Sequence, residues 1–186
     1  QRQMCIRDRV VTGNAEAISA ENWQGKSYSA ANKVNIADYF EENTQYHYQY
    51  TDNYTGDDSV WSAEYDYTTK ATDKFSVILT GDPQVGASGS SSDKSANDAS
   101  VARDAYNWNK TMQQALKTCP DASFLLSAGD QINQSGATKD DDKKTRESEY
   151  AGYLYPSVFR SLPIAATIGN HDTVSYTHLR AHETGA

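Results

Sequence analysis

Cysteine is nearly missing from these 186 residues, with Cys5 and Cys119 the two present. One pair cannot build a cross-linked scaffold, so the fold must be held by burial, and the thiols do not report a redox compartment. Positive charge is also short: 17 Lys and Arg stand against 25 Asp and Glu, a net charge of −8. That balance argues against nucleic acid as a structural partner, because a polyanion is gripped mainly through Lys and Arg. No apolar run approaches the ~20 residues that a membrane helix needs. No segment reads as a secretory leader, which a chain cut short at its front would lack in any case. What is abundant is tyrosine, 13 residues, within a 37% apolar composition that suffices for one moderate core, alone or with a small satellite domain.

The tyrosines cluster before Asp73. Tyr46, Tyr48 and Tyr50 alternate, as do Tyr65 and Tyr67, which is the period of a strand. The turn-rich TDNYTGDDS lies between them, so the two runs read as a hairpin or meander. The stretch from Gly13 to Ala31 is expected to hold one more strand. An aromatic sheet of this kind suits packing, and it also suits carbohydrate binding.

After Phe75 the pattern becomes α/β. Phe75, Val77, Ile78 and Leu79 make a strand apolar on both faces, as in a sheet covered by helices. The Gly/Ser-rich GASGSSSDKSAND reads as a flexible loop. A helix is expected from about Asp98, with Val101, Ala105, Trp108, Met112, Ala115 and Cys119 as a core stripe closed by Pro120. Phe124 to Ser127 form a second strand. Lys139 to Lys144 reads as a solvated acidic loop, a second helix is expected from about Arg146 to Arg160, and Ile164 to Ile168 form a third strand. The fold class is therefore α/β, in the order β-α-β-α-β with motif loops gathered on one edge.

Each of the three strands ends in a short motif: Gly81-Asp82-Pro83-Gln84, Gly129-Asp130-Gln131-Ile132-Asn133, and Gly169-Asn170-His171-Asp172. A glycine lets the chain turn sharply and the next residues carry oxygen or nitrogen donors, so the three sets can converge on one crevice. Carboxylates of Asp82 and Asp130 with amide oxygens of Gln84 and Asn170 suit cations that hold and neutralise a phosphate. Any one such motif is also a common turn with a side-chain-to-backbone hydrogen bond.

In order and spacing these motifs resemble the amino-terminal half of the calcineurin-like metallophosphoesterases, and of purple acid phosphatases among them, over Phe75 to Asp172. The resemblance implies two divalent or trivalent metal ions, Fe, Zn or Mn, with Asp82 and Gln84 on the first, Asp130 bridging both and Asn170 on the second. It implies that His171 is catalytic and meets the phosphoryl group of a mono- or diester substrate attacked by metal-bound hydroxide. Gln84 replaces the family's more common histidine, and its amide is a weaker ligand for zinc or iron. Asn133 stands where relatives carry Asp or, in purple acid phosphatases, an iron-binding Tyr, so the purple colour is not expected, and Asn133 is expected to steady His171 instead. The tyrosine-rich part resembles the end of the fibronectin-III-like module that precedes the catalytic domain in purple acid phosphatases: Thr44, Tyr46 and Tyr48 match one strand, Trp61 and Ser62 another. A complete sandwich needs about seven strands, so this module is expected to be incomplete.

The family completes its site with downstream histidines, and only fourteen residues follow Asp172. They include His178 and His182, whose i,i+4 spacing could place two imidazoles on one helical face but does not fit the family's GHxH. Residues 174–186 and 1–9 instead resemble translated sequencing-adapter read-through, foreign to the protein. The expected organisation is thus a foreign leader (1–9), a partial fibronectin-III-like β domain (10–72), the amino-terminal half of a metallophosphoesterase domain (73–173) and a foreign tail (174–186). The chain as given is expected to be inactive and its parent to be an extracellular or cell-surface metal-dependent phosphoesterase. The alternative is a non-catalytic cell-surface or carbohydrate-binding protein on a degenerate phosphatase scaffold. Substrate, metal identities and oligomeric state are not legible in the sequence.

Overall fold

Alternating tyrosines become a cross-strand ladder. The computed structural model of the chain describes residues 3–6, 9–56, 59–89, 94–134 and 140–172. Strands β1 (Gln3–Ile6), β2 (Arg9–Thr12), β3 (Asn14–Glu21) and β4 (Ser27–Lys33) precede β5 (Gln45–Thr51) and β6 (Tyr65–Thr68). The chain falls into two units, one holding the chain up to Ile18 with Ser29–Phe75, the other holding Ser19–Tyr28 and the chain from Ser76 onward.

In the first unit a four-stranded antiparallel sheet has the order β2-β1-β5-β6. Tyr46 lies opposite Tyr67 and Tyr48 opposite Tyr65. Tyr46 is buried beneath Phe40, whose ring centroid lies 4.8 Å away, and its hydroxyl accepts the Glu41 N–H at 2.7 Å. One face of the ladder is thus an aromatic core whose polar tip is satisfied. Strand β1 lies within the segment read as a foreign leader. Backbone pairing makes few demands on side chains, so the strand leaves that reading where the sequence put it.

Where one strand was expected between Gly13 and Ala31, the chain makes two, β3 and β4, paired as a two-stranded sheet. Asn22 organises their turn: its Oδ1 accepts the N–H groups of Gln24 at 3.0 Å and Lys26 at 2.9 Å. The strands escaped notice because their residues are small, polar and mostly exposed, without an apolar alternation. Trp23 at the tip packs against Val85, Val101 and Tyr153 of the second unit's core and meets the Tyr155 ring edge-on at 5.5 Å.

The second unit contains β7 (Ser76–Thr80), α1 (Lys94–Thr118), β8 (Ala122–Ser127), α2 (Asp140–Tyr153) and β9 (Ile164–Ala166). The strands form a parallel sheet in the order β7-β8-β9, so the expected β-α-β-α-β succession is present. Helix α1 begins at Lys94, before the expected Asp98, and its stripe joins two apolar clusters. Met112 packs with Ile78, Ala122, Leu125 and Leu162, and Val101 packs with Val85 and Tyr153. Part of the Gly/Ser-rich loop, residues 90–93, lies outside the described residues.

Two expectations are corrected. Strand β7 is not covered on both faces: Ile78 is buried, while Val77 is 38% and Leu79 67% exposed. Successive residues point to opposite sides, so its unbroken apolar run reflects one face packed toward Met112 and a second, exposed apolar face. The acidic run is not a loop but helical from Asp140, in keeping with the preference for aspartate at helix starts. Helix α2 then stops at Tyr153, ahead of Pro156, and a short 3-10 turn over Ser157–Arg160 takes up the rest of the expected helix.

Candidate metal centre

The first two motif loops interlock through their backbones, and the third packs against the second. The Asp82 N–H donates to the Gly129 carbonyl at 3.2 Å, the Gln84 N–H to the Asp130 carbonyl at 3.0 Å, and the Val85 N–H to the Gln131 carbonyl at 3.1 Å. These bonds extend the β7-β8 pairing past the strand ends, through a bridge between Val85 and Ile132. On the other side the second loop abuts the third. A Cβ on Gly129 would come 2.6 Å from the Gly169 nitrogen, and one on Gly169 would collide with the Asp130 carboxylate and backbone nitrogen. Gly129 also has φ +102°, a conformation that only glycine adopts readily. These glycines are therefore required by close backbone approach, and they bring the motifs together.

Asp130 lies at the junction. Its backbone carbonyl receives the first loop, and its Oδ1 accepts the His171 N–H of the third at 2.8 Å. Asp82 is exposed, Gln84 and Asp130 are half-buried, and Asn170 is exposed between the two residues that touch Asp130. Among the described residues, four non-glycine residues have left-handed backbones: Asn43, Asp82 at φ 55°, Gln84 at 36° and Asp130 at 49°. Three of these four are sequence-chosen metal ligands. Such conformations cost on the order of 1 kcal/mol or more each, most for a residue such as Gln that lacks a short side chain to bond locally. Strain gathered at donor residues is characteristic of a site shaped for a ligand.

His171 is held by Asn133, through the backbone rather than the side chain. Its Nδ1 lies 2.5 Å from the Asn133 backbone carbonyl. A carbonyl can only accept, so Nδ1 carries the proton and Nε2 is the nitrogen left to address a ligand. The place of Asn133 in the loop matters here, not its side chain.

Several supporting residues were not anticipated. Asp172 is 1% exposed and ties the third loop to the second: Oδ1 accepts the Gln131 N–H at 3.0 Å and the Tyr150 hydroxyl at 3.3 Å, and Oδ2 accepts the Gly169 N–H at 2.9 Å. Asp104 of α1 accepts the Gly86 N–H at 2.9 Å and the Ser88 N–H at 3.2 Å, fixing the first loop. Helix α2 supplies Arg146 and Glu149, both buried. Arg146 donates to the carbonyls of Gln134 at 2.5 Å, His171 at 2.9 Å and Asp172 at 3.1 Å. Glu149 Oε2 accepts the N–H groups of Asn133 at 3.1 Å and Gln134 at 2.7 Å, while its Oε1 rests where a Cβ on Gly86 would stand. Burial pushes the Glu149 carboxyl up to about 7 against the pull of those two N–H groups and of the Arg146 and His171 charges. Burial, followed by the neighbouring Asp172 charge, also raises the Tyr150 hydroxyl above its ordinary range. A sequence signal existed for the pair: Arg and Glu three residues apart on a helix with almost no apolar stripe.

The donor set fits hard cations. Two carboxylates and two amides offer only oxygen, which favours Mn- or Mg-like ions over thiophilic ones, and four such residues leave most positions of a two-metal cluster to other groups. His178 and His182 lie outside the described residues. In the first unit, the ligand atoms of His47, Glu64 and Asp66 lie within 4.8 Å of one another, but all three residues are exposed and His47 Nδ1 already meets Asp66 Oδ1 at 2.6 Å. Among the described residues no helix is long and apolar enough to cross a membrane.

No family model matches the chain, and no curated protein matches it. Among solved structures it is similar to a purple acid phosphatase from yellow lupin (Lupinus luteus) seeds, with a TM-score of 0.51 and 16% identity. The likeness covers 91% of this chain and 30% of that one. At this identity what is shared is a fold, a mixed α/β arrangement with small sheets.

Proposed function

We propose that the chain is part of a metal-dependent phosphoesterase whose two-cation centre is held in part by Asp82, Gln84, Asp130 and Asn170. The observation that carries this reading is the coincidence at one junction of three adjoining loops and three left-handed donor residues. When bound, such a pair of cations would neutralise phosphoryl charge and make water acidic near neutral pH. In this chain, Asp130 would hold the bridge while its Oδ1 keeps the His171 backbone in place. His171, with Nδ1 committed to Asn133, would turn Nε2 toward a phosphoryl oxygen of a mono- or diester, to offset its charge or protonate the leaving oxygen. The likeness to the lupin phosphatase supports the scaffold; the chain spans about 30% of that protein, and on this reading the activity would belong to a longer parent. We further propose that the tyrosine-rich unit is a partial fibronectin-III-like module, that residues 1–9 and 174–186 are foreign, and that the parent works outside the cell.

The test is calorimetric titration of the chain with Mn²⁺, Fe²⁺ and Zn²⁺, paired with hydrolysis of an aryl phosphate by the chain and by its parent. Binding that is lost in Asp130→Asn, with turnover confined to the parent, is the expected result. Equal binding by Asp130→Asn, or a parent that is inert with every metal, would refute the reading.

A further inference from the structure

Helix α2 reaches the candidate centre without supplying a ligand to it. Arg146 and Glu149 are three residues apart and so share one face, and from that face five hydrogen bonds go to backbone groups of the second and third loops. Their targets are not spread evenly. Glu149 holds the N–H groups of Asn133 and Gln134, and Asn133 carries the carbonyl that receives His171 Nδ1. A single Arg146 nitrogen, Nη1, touches both the Gln134 and the His171 carbonyls. The imidazole's acceptor and the imidazole's own backbone are therefore fastened to the same helical turn.

We propose that Arg146 and Glu149 are positioning residues that lock the His171 ring in its Nδ1–H tautomer, with Nε2 directed outward. This deepens the phosphoesterase reading and rests on it for its catalytic meaning. Arginine suits the task because its planar fork addresses three carbonyls from one site and remains charged throughout the usable pH range. A lysine ammonium at the same position is a point donor on a flexible stem and cannot span Gln134, His171 and Asp172 together.

The test reads the ring directly. The full chain is labelled with ¹⁵N-histidine, the His171 signals are assigned from a His171→Gln variant, and ring nitrogen shifts are recorded at a pH where the imidazole is neutral. The native chain should show the single-tautomer signature of protonated Nδ1. Arg146→Lys, confirmed as folded by circular dichroism, should lose that signature and show averaged shifts of two exchanging tautomers. Glu149→Gln, which keeps an oxygen acceptor, should preserve it. Arg146→Lys with native ring shifts would overturn the proposal, and so would an Arg146→Lys chain that fails to fold, since Arg146 would then be a fold-stabilising group only. No metal or turnover enters the readout, so it can fail while metal binding holds, or hold while metal binding fails.

Discussion

Replacing Glu149 by Gln should change the pH dependence of stability more than stability itself. The carboxyl titrates near 7 in the folded chain and near 4.5 when unfolded, because the folded site disfavours its charged form. Below about pH 4.5 both states hold the proton and there is no penalty. As pH rises, the unfolded chain ionises first, so stability drains away between about 4.5 and 7 and is level above that. At about 1.36 kcal/mol per pH unit, the difference amounts to about 3 kcal/mol as an order of magnitude. The substituted amide would keep an oxygen for the Asn133 and Gln134 N–H groups but cannot ionise. In urea melts of both chains from about pH 4.5 to about 8, the variant should match the native chain at the acid end and exceed it by up to about 3 kcal/mol at the alkaline end. A difference that stays flat across that range would refute the reasoning. Glu149→Ala should follow the same pH slope from a lower start, losing about 2–4 kcal/mol at the acid end, because two backbone donors are left without their acceptor, and recovering much of that as pH rises and the native carboxyl becomes costly.

Gly169→Ala should separate the second and third loops, since its methyl would occupy the space of the Asp130 carboxylate; faster hydrogen exchange of the His171 amide, which donates to that carboxylate, is the expected sign. Leu125→Ala, at a fully buried position of β8 against Met112 and Ile78, should cost about 2–5 kcal/mol in a denaturant melt. Trp23→Ala should lower thermal stability although it lies far from the sheet in sequence, because the indole packs on Val85, Val101 and Tyr153; an unchanged melting temperature would show that contact to be idle.

What could be read from the sequence and what could not divide along a physical line. The glycine-donor motifs after apolar strands were legible because a buried parallel strand leaves few choices for where its loop goes: Gly129 and Gly169 mark the approach of two backbones, and Asp82, Gln84 and Asp130 mark the turns. The α1 stripe was legible because Val101, Ala105 and Met112 bury apolar area at helical spacing. Helix α2 was legible only in part. Its buried residues include Arg146, Ser148 and Glu149, so the face that matters is polar and leaves no hydrophobic period to find. Arg146 and Glu149 are buried because their partners are backbone groups of loops, and no composition rule records which loop a charged side chain will serve. Trp23 was hidden for the opposite reason: a lone aromatic at a polar turn carries no period at all.

The same division explains why the centre is strained. On the reading proposed above, loops that present Asp82, Gln84 and Asp130 to one point would not be able to relax their backbones as well, and a left-handed φ stands at each. Strain of this size persists only where neighbouring interactions over-determine the conformation. The bonds from Asp104 to the first loop, from Asp172 across the second and third, and from Arg146 and Glu149 to both supply that over-determination. Each brace acts on backbone N–H or C=O groups, so it fixes where a donor residue stands without competing for the donor's side chain. On the proposed reading, that separation of duties would leave the side-chain oxygens of Asp82 and Gln84 to a ligand. It also predicts that weakening a brace should loosen the loops first, and lower metal affinity only as a consequence.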